Sequence, residues 1–416
     1  MADITHAAVP VLRLRREPRS SVATTTVLLG AWLSVLERTA DGWLNVKAFG
    51  QQGWVREEET GQDNVLKLFF VDVGQGDGTL IETPTQRLIV DGGPGRNFAA
   101  YLLKWKYRWL VADGESVHFD AVVVSHFDAD HFDGLTALLQ DRRVTIGTVF
   151  HNGIARFASS RAQRPAAYDT DLGETAGGGA NRRLLTTFSS LDDAEALVAR
   201  GGLAKGFESF LVSAGAAHAD GRLGSLARID RGTGLLTGFD GLTIEVLGPV
   251  TESQGPFGFR WFADSSHTRN GHSVVLKLTW GARTILLGGD LNSESEEHLL
   301  RHGIGAHLPV DVAKACHHGS SDFSIDFLAA TKPKMTIVSS GDNESYGHPQ
   351  PDLVGSIGKY SRGDRPLVFS TELARSTTPA RIHYGLINVR TDGKLIVGAQ
   401  MYEKPRAGQM WNSFVI

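Results

Sequence analysis

Residues 121–135 read AVVVSHFDADHFDGL, and both the fold and the chemistry turn on this stretch. The run from Ala121 to Val124 has the look of a buried strand. His126, Asp128, Asp130 and His131 follow at once, so four potential metal donors crowd the end of that strand. Imidazole and carboxylate together suit Zn, Mn or Fe. Burying such groups without a cation would leave charge unpaired, which costs several kcal/mol. A solvated polar turn is the plainer alternative, and the later segments weigh against it.

Outward from this stretch, buried strands alternate with helical patterns. LKLFFVDVG precedes a glycine loop, GQGDG (74–78). TLIET and RLIVDGG follow, then a helix-like AAYLLKWKYRWLV. Alternation of this kind indicates an α/β body. The glycine loop lacks the Gly-Lys-Ser/Thr ending of a nucleotide P-loop. Residues 151–235 carry SSRAQRP, GETAGGGANRR and one helical stretch, SLDDAEALVARG, and read as a loop-rich insertion. Strands resume with LTIEVLGP, SVVLKLTW and TILLGGD. DVAKACHHGSS, KMTIVSSGDN and YGHPQP come next, and GLINVRTDGKLIVGAQ reads as a hairpin centred on Asp392-Gly393.

The run His126-Phe-Asp128-Ala-Asp130-His131 resembles the H-x-H/D-x-D-H motif of metallo-β-lactamase-fold hydrolases. In wording it is most similar to the hydrolase domain of ComEC-type competence proteins. VDVGQGDGTLIE (71–82), IVDGG (89–93), VVVSHFDADHFDGL (122–135), NGHSVVLKL (270–278), ILLGGD (285–290), KACHHGSS (314–321) and SSGDNESYGHP (339–349) stand in that family's order. The resemblance covers about 65–400 apart from the insertion. It implies a four-layered αββα sandwich with two divalent metal ions, Zn²⁺ or Mn²⁺, at one edge.

Matched position by position, the resemblance makes Asp91 a residue that orients the metal loop by hydrogen bonds. It makes His126 and Asp128 ligands of a first metal, and Asp130 and His131 ligands of a second. Asp290 would bridge both and His348 would be the last ligand. From the sequence alone, Asp290 could instead cap the helix that follows. The superfamily's third-motif ligand has three candidates here, His267, Asn270 and His272, or is absent. Of the adjacent pair, His317 is expected nearer the metals, and His318 is expected to serve substrate phosphate or the leaving group; the order is open. Lys314 and Ser320 are candidate anion contacts, with plain structural roles as the alternative, and Asp77 is a secondary candidate.

Residues 8–58 hold short alternating strands, including GWLNV around Trp43 and GWV around Trp54. This spacing resembles bacterial SH3-like domains, so 1–62 is expected to be a small all-β barrel. Residues 65–416 are then the hydrolase domain, and EEETGQDN (57–64) is a polar linker. Trp43 and Trp54 serve either as core aromatics or as a groove for a protein or peptide ligand.

The composition sets bounds. The 416 residues carry 42 Lys+Arg against 46 Asp+Glu, a formal charge of −4, which argues against a dedicated polyanion binder. No apolar run is long enough to span a bilayer, and no secretory leader is visible. The only cysteine is Cys316, which excludes an internal disulfide and a thiolate cage; a cytoplasmic setting is expected, with Cys316 as a packed thiol. The expected function is a dinuclear-metal hydrolase whose metal-bridging hydroxide attacks a phosphodiester, as a phosphodiesterase or nuclease. The insertion's Arg156, Arg161, Arg164, Arg182 and Arg183 could follow a nucleic-acid backbone. Two alternatives stand: a small-molecule esterase acting on a cyclic nucleotide, phosphocholine or lactone, and a binding module with a residual metal site.

Overall fold

The computed structural model describes residues 3–252, 258–341, 345–371, 386–406 and 408–416. Residues 342–344 of the motif at 339–349 therefore lie outside the described residues. Two large sheets form the body. One has nine strands, in the order Leu223–Arg228, Val144–His151, Val117–Val124, Arg87–Gly92, Gly78–Glu82, Leu66–Phe70, Ile387–Thr391, Ile396–Arg406, Gln409–Val415. The other has seven, in the order Leu235–Leu236, Leu242–Gly248, Val275–Trp280, Arg283–Leu287, Val312–Lys314, Met335–Val338, Leu367–Ser370.

Strand periodicity explains how the sheets stack. Successive side chains point to opposite faces. In Leu66–Phe70, the side chains of Leu66, Leu68 and Phe70 meet Ile244, Leu276, Ile285 and Met335 of the other sheet. Phe69 turns to the opposite face, where Leu135, Leu138, Phe207 and Phe210 come from helices Ala129–Gln140 and Lys205–Ala219. Helices Ser293–Arg301, Ile325–Thr331 and Pro351–Tyr360 supply the outer cores of the seven-stranded sheet. The result is a four-layered αββα sandwich. Strands buried on both faces must be apolar almost throughout, which is why AVVVS and ILL read as unbroken runs.

In each sheet a parallel block aims its strand ends the same way: Arg87–Gly92, Val117–Val124 and Val144–His151 in one, and Arg283–Leu287, Val312–Lys314 and Met335–Val338 in the other. Open α/β sheets gather functional groups beyond the carboxyl ends of such strands. Ser125–His131, Asp290 and His317–His318 all leave strands at those ends.

The insertion holds two elements besides the expected helix. Lys205–Ala219 is a fifteen-residue helix packed on Ala129–Gln140, and Leu223–Arg228 is the edge strand of the nine-stranded sheet, parallel to Val144–His151. The sequence hides this helix because Gly206 and Gly215 lie inside it. Each weakens a helix by roughly 1 kcal/mol, and burial of Phe207, Phe210 and Leu211 outweighs that. The expected hairpin at Asp392-Gly393 joins Ile387–Thr391 to Ile396–Arg406 in antiparallel register.

The N-terminal region is an antiparallel sheet of seven strands around Leu12, Leu14, Leu33, Val46 and Val55. Trp43 is buried beneath the guanidinium of Arg56, 4.4 Å from its ring centroid. The stretch expected as linker is partly sheet, because Thr60–Gly61 pairs with Asp3–Ala7. Buried Arg390 donates to the Leu29 carbonyl at 2.8 Å, which ties this region to the nine-stranded sheet. Among the described residues no helix is long and apolar enough to cross a membrane.

Phe127, between two of the expected ligands, is 1% exposed. Its ring lies within 6 Å of those of Phe132, Phe188, Phe207 and Phe210. Phe127→Ala should therefore lower stability by ~3–5 kcal/mol, read from urea unfolding of the full chain.

Candidate metal centre

The loop after Val117–Val124 is held at both ends. Phe127 anchors its middle in the aromatic cluster just described. Helix Ala129–Gln140 begins beyond it and carries Asp130 and His131 in its first turn. That helix crosses the backbone of Gly92 so closely that a Cβ on Gly134 would lie 1.9 Å from the Gly92 carbonyl oxygen. Only glycine permits the approach. Across the site, His317 and His318 both adopt left-handed backbone angles, φ 49° and 54°, before Gly319 at 88°. Such angles are unfavourable for histidine, and the turn they make carries the His318 ring inward.

Four side chains converge. His131 Nε2 is 3.2 Å from Asp290 Oδ2. His318 Nε2 is 3.0 Å from the same oxygen, 3.3 Å from Asp130 Oδ2 and 3.3 Å from His131 Nε2. A tetrahedral cation with ligands at ~2.0–2.1 Å has ligand–ligand edges of about 3.3–3.4 Å. The donor set therefore fits a divalent ion. Asp77, His131, Asp290 and His318 are all buried, with donor atoms within 4.8 Å of one another. His318, rather than His317, belongs to this group.

Burial alone would push the two imidazoles towards neutrality. The surrounding carboxylates, Asp290 foremost, outweigh it and hold both well above the ordinary histidine range. Burial likewise works against ionised Asp290, and the two imidazoles reverse it, so its carboxyl stays well below the ordinary range.

The supporting groups are specific. Asp91, itself at φ 58°, accepts from Ser125 N at 2.8 Å and Ser125 Oγ at 2.7 Å, and faces His131 Nδ1 at 2.9 Å. These contacts fix the His131 ring and leave Nε2 towards the centre. Lys314 is buried, pairs with Asp77 and donates to the Gly289 carbonyl at 3.1 Å. Its ammonium is engaged by these two groups. Burial raises Asp77, but Lys314 and the imidazoles of His318 and His131 hold it at about 2. Ser320 Oγ accepts from Asp322 N at 3.1 Å within its own turn.

The remaining expected residues lie around this group. His126 Nε2 is 3.7 Å from Asp128 Oδ2. The other oxygen of Asp128 is taken by Arg156 and by Arg269, whose Nε lies 2.5 Å away. Ser273 Oγ links His126 Nδ1 (3.3 Å), the Asp290 amide (3.0 Å) and the Asn270 carbonyl (2.7 Å). Among the described residues, the buried atoms here without hydrogen-bond partners include Asp77 Oδ1, His126 Nε2, Asn270 Oδ1, Asp290 Oδ1 and His317 Nδ1. Buried polar atoms are rarely left so. His317 Nε2 is 3.5 Å from Asn270 Nδ2. His348 Nδ1 is 3.2 Å from Gln75 Nε2, with its ring 6.4 Å from that of His318.

Of the third-motif candidates, Asn270 alone reaches this area. His272 is buried between Phe259 and Phe262 and bonds to the Arg260 carbonyl at 2.7 Å. His267 pairs with Asp264 at 3.0 Å on the surface. Asp290 does not cap the next helix, because Asn292 does, accepting from Ser295 N at 3.1 Å. Sequence reasoning missed Ser125, Ser273, Gln75 and Arg269. Ser125 and Ser273 adjoin recognised motifs and could have been found there; Arg269 carries no such signal.

Cys316 packs against Gly288, its thiol pushed well up by burial and by Glu296. Glu296 is 3% exposed and accepts from Ser324 N at 2.6 Å. Burial raises its carboxyl to about 8 from an ordinary 4.5. Between these values the folded chain holds a proton that the unfolded chain has lost. Stability should therefore fall as pH rises from 4.5 to 8, by up to about 1.4 kcal/mol per pH unit. Glu296→Gln should flatten that slope in urea titrations across the range.

A cavity of about 630 Å³ opens beside the Arg269 side of the centre, lined by Arg164, Arg182, Trp261, Asp169 and Asp264 among others. Arg182 lies 4.1 Å over the Trp261 ring and 3.1 Å from Asp169. Arg183 pairs with Glu252, and Arg161 donates to the carbonyls of Pro165 and Ala166.

Residues 71–188 match the model of the Metallo-beta-lactamase superfamily. ComE operon protein 3 of Bacillus subtilis (strain 168) is 30% identical over 95 residues, which are 23% of this chain and 12% of that protein. Competence protein ComA of Neisseria gonorrhoeae is 38% identical over 81 residues, 19% of this chain and 12% of that one. The chain thus spans about an eighth of the length of these curated relatives. Among solved structures, the metallo-beta-lactamase fold protein YhfI from Bacillus subtilis is 12% identical, with 73% of this chain and 96% of that one covered and a TM-score of 0.37.

Proposed function

From a chain that carries a Metallo-beta-lactamase superfamily domain, we propose a metal-dependent phosphodiesterase, with nucleic acid as the first substrate class to examine. The convergence of His131, Asp290 and His318 at tetrahedral spacings, with Asp130 3.3 Å from His318, is the observation that carries this reading. These four would hold one divalent ion. Asp290 Oδ1, His126 and His317 would contribute to a second and weaker one, since Asp128 is engaged by Arg156 and Arg269. Two carboxylates with two imidazoles accept Mn²⁺ as readily as Zn²⁺. A divalent ion at such a site supplies Lewis acidity and a water acidified towards neutrality.

The chain's own groups then have distinct tasks. Asp91 holds His131 in one ring orientation, and Lys314 holds Asp77 ionised beside His318. Arg164, Arg182 and Arg269 line the adjoining cavity, where guanidinium groups suit phosphate oxygens. The relatives named as competence proteins support the nucleic-acid branch of this reading.

One feature favours a smaller substrate. The cavity's arginines are balanced by Asp169, Asp171 and Asp264, so the wall is not the uniformly cationic track that a long polyanion prefers. A cyclic nucleotide or another compact phosphodiester fits that balance, and so does a neutral ester such as a lactone. For the N-terminal sheet we propose the SH3-like role of binding a protein or peptide.

Purified chain should be stripped with chelator, reloaded with Mn²⁺ or Zn²⁺, and assayed on bis-p-nitrophenyl phosphate, single- and double-stranded nucleic acids, cyclic nucleotides and lactones. Metal-dependent phosphodiester turnover is expected. Lactone hydrolysis with no phosphodiester turnover would replace the reading.

A further inference from the structure

A second group of possible ligands lies away from the centre. Helix Ser293–Arg301 carries His298 in its last turn, and His302 caps its C-terminal end. Residues four apart share a helix face, and the two rings lie 4.3 Å apart. Glu252, on the short strand Thr251–Glu252, faces them. The donor atoms of Glu252, His298 and His302 lie within 4.8 Å of one another. His298 is roughly 9 Å along the helix from the Asn292 cap at 1.5 Å per residue, so this group is separate from the four residues described above.

Each side chain has a donor atom to offer. His302 Nδ1 lies 2.9 Å from the His298 carbonyl oxygen, to which only a protonated ring nitrogen can donate. This leaves the lone pair on Nε2. His298 is 2% exposed, and among the described residues its buried Nε2 has no hydrogen-bond partner. It stands 3.7 Å from Glu252 Oε1. Arg183 takes the other carboxylate oxygen, Oε2, so pairing with arginine does not occupy the oxygen that faces the imidazole.

We infer that Glu252, His298 and His302 form a second divalent-cation site, suited to zinc, that clips strand Thr251–Glu252 to the end of helix Ser293–Arg301. Two imidazoles and one carboxylate are a set zinc accepts, with water completing the coordination. Arg183, Arg260 and Arg301 oppose a cation nearby, so the site is weaker than the centre. His302 is exposed, which gives the ion a route in and makes the residue safe to replace.

The test uses the full chain in an Asp290→Ala background, which keeps the outcome apart from that of the catalytic reading. Zinc per chain is measured after equilibrium dialysis, with and without His302→Ala, alongside the melting temperature. Circular dichroism of both proteins confirms that each is folded. The site predicts that His302→Ala removes one equivalent of zinc and abolishes the zinc-dependent rise in melting temperature. Equal zinc content and equal thermal response in the two proteins would overturn it.

Discussion

Asp290→Ala should empty the centre of metal and lower phosphodiester turnover more than about 100-fold, beyond the loss that removing a ligand's supporting partner brings. Asp290 Oδ2 is the atom on which both imidazoles converge, at 3.2 Å and 3.0 Å. Its carboxylate is the main attraction holding both rings above their ordinary range. Without it, two buried imidazoles 3.3 Å apart would face each other with less negative charge to hold a cation. Asp290→Asn should fail nearly as badly, because the amide keeps the shape and loses the charge. The measurements are metal content after gel filtration and kcat on bis-p-nitrophenyl phosphate. Full metal content in either variant would count against the assignment.

The second large effect separates neighbours in sequence. His318→Ala should lose metal from the centre and with it nearly all turnover. His317→Ala should keep metal there and lose only part of its rate. The structural difference is plain. His318 Nε2 contacts Asp290, Asp130 and His131, whereas His317 contacts Asn270 at 3.5 Å. If His317→Ala emptied the centre and His318→Ala did not, the reading of this turn would be reversed. Parallel assays of the two purified variants decide it.

The stretch HFDADH was legible because its donors are neighbours in the chain and follow an apolar strand directly. Asp290 was legible for the same reason, through ILLGGD. The His317–His318 pair was not. Which ring turns inward depends on three successive left-handed residues, and no sequence pattern announces that backbone for histidine. Asp128 shows another limit. Its spacing marks it as a ligand, yet Arg156 and Arg269, 28 residues on in one case and far more in the other, converge on its oxygen only in the folded chain. The burial of Lys314 beside Asp77 likewise arises only in the folded chain. The helix Lys205–Ala219 lay hidden among glycines and alanines because its stability comes from Phe207 and Phe210 packing on a neighbouring helix, not from its own propensity.

Crystals of the full chain soaked in Mn²⁺ or Zn²⁺, with data collected at the metal's absorption edge, give the most direct test. An anomalous peak should appear within coordination distance of His131 Nε2, His318 Nε2, Asp130 and Asp290 together, at the ~2.0–2.2 Å of nitrogen and oxygen ligands. A map from metal-saturated crystals with no peak among those four side chains would contradict it.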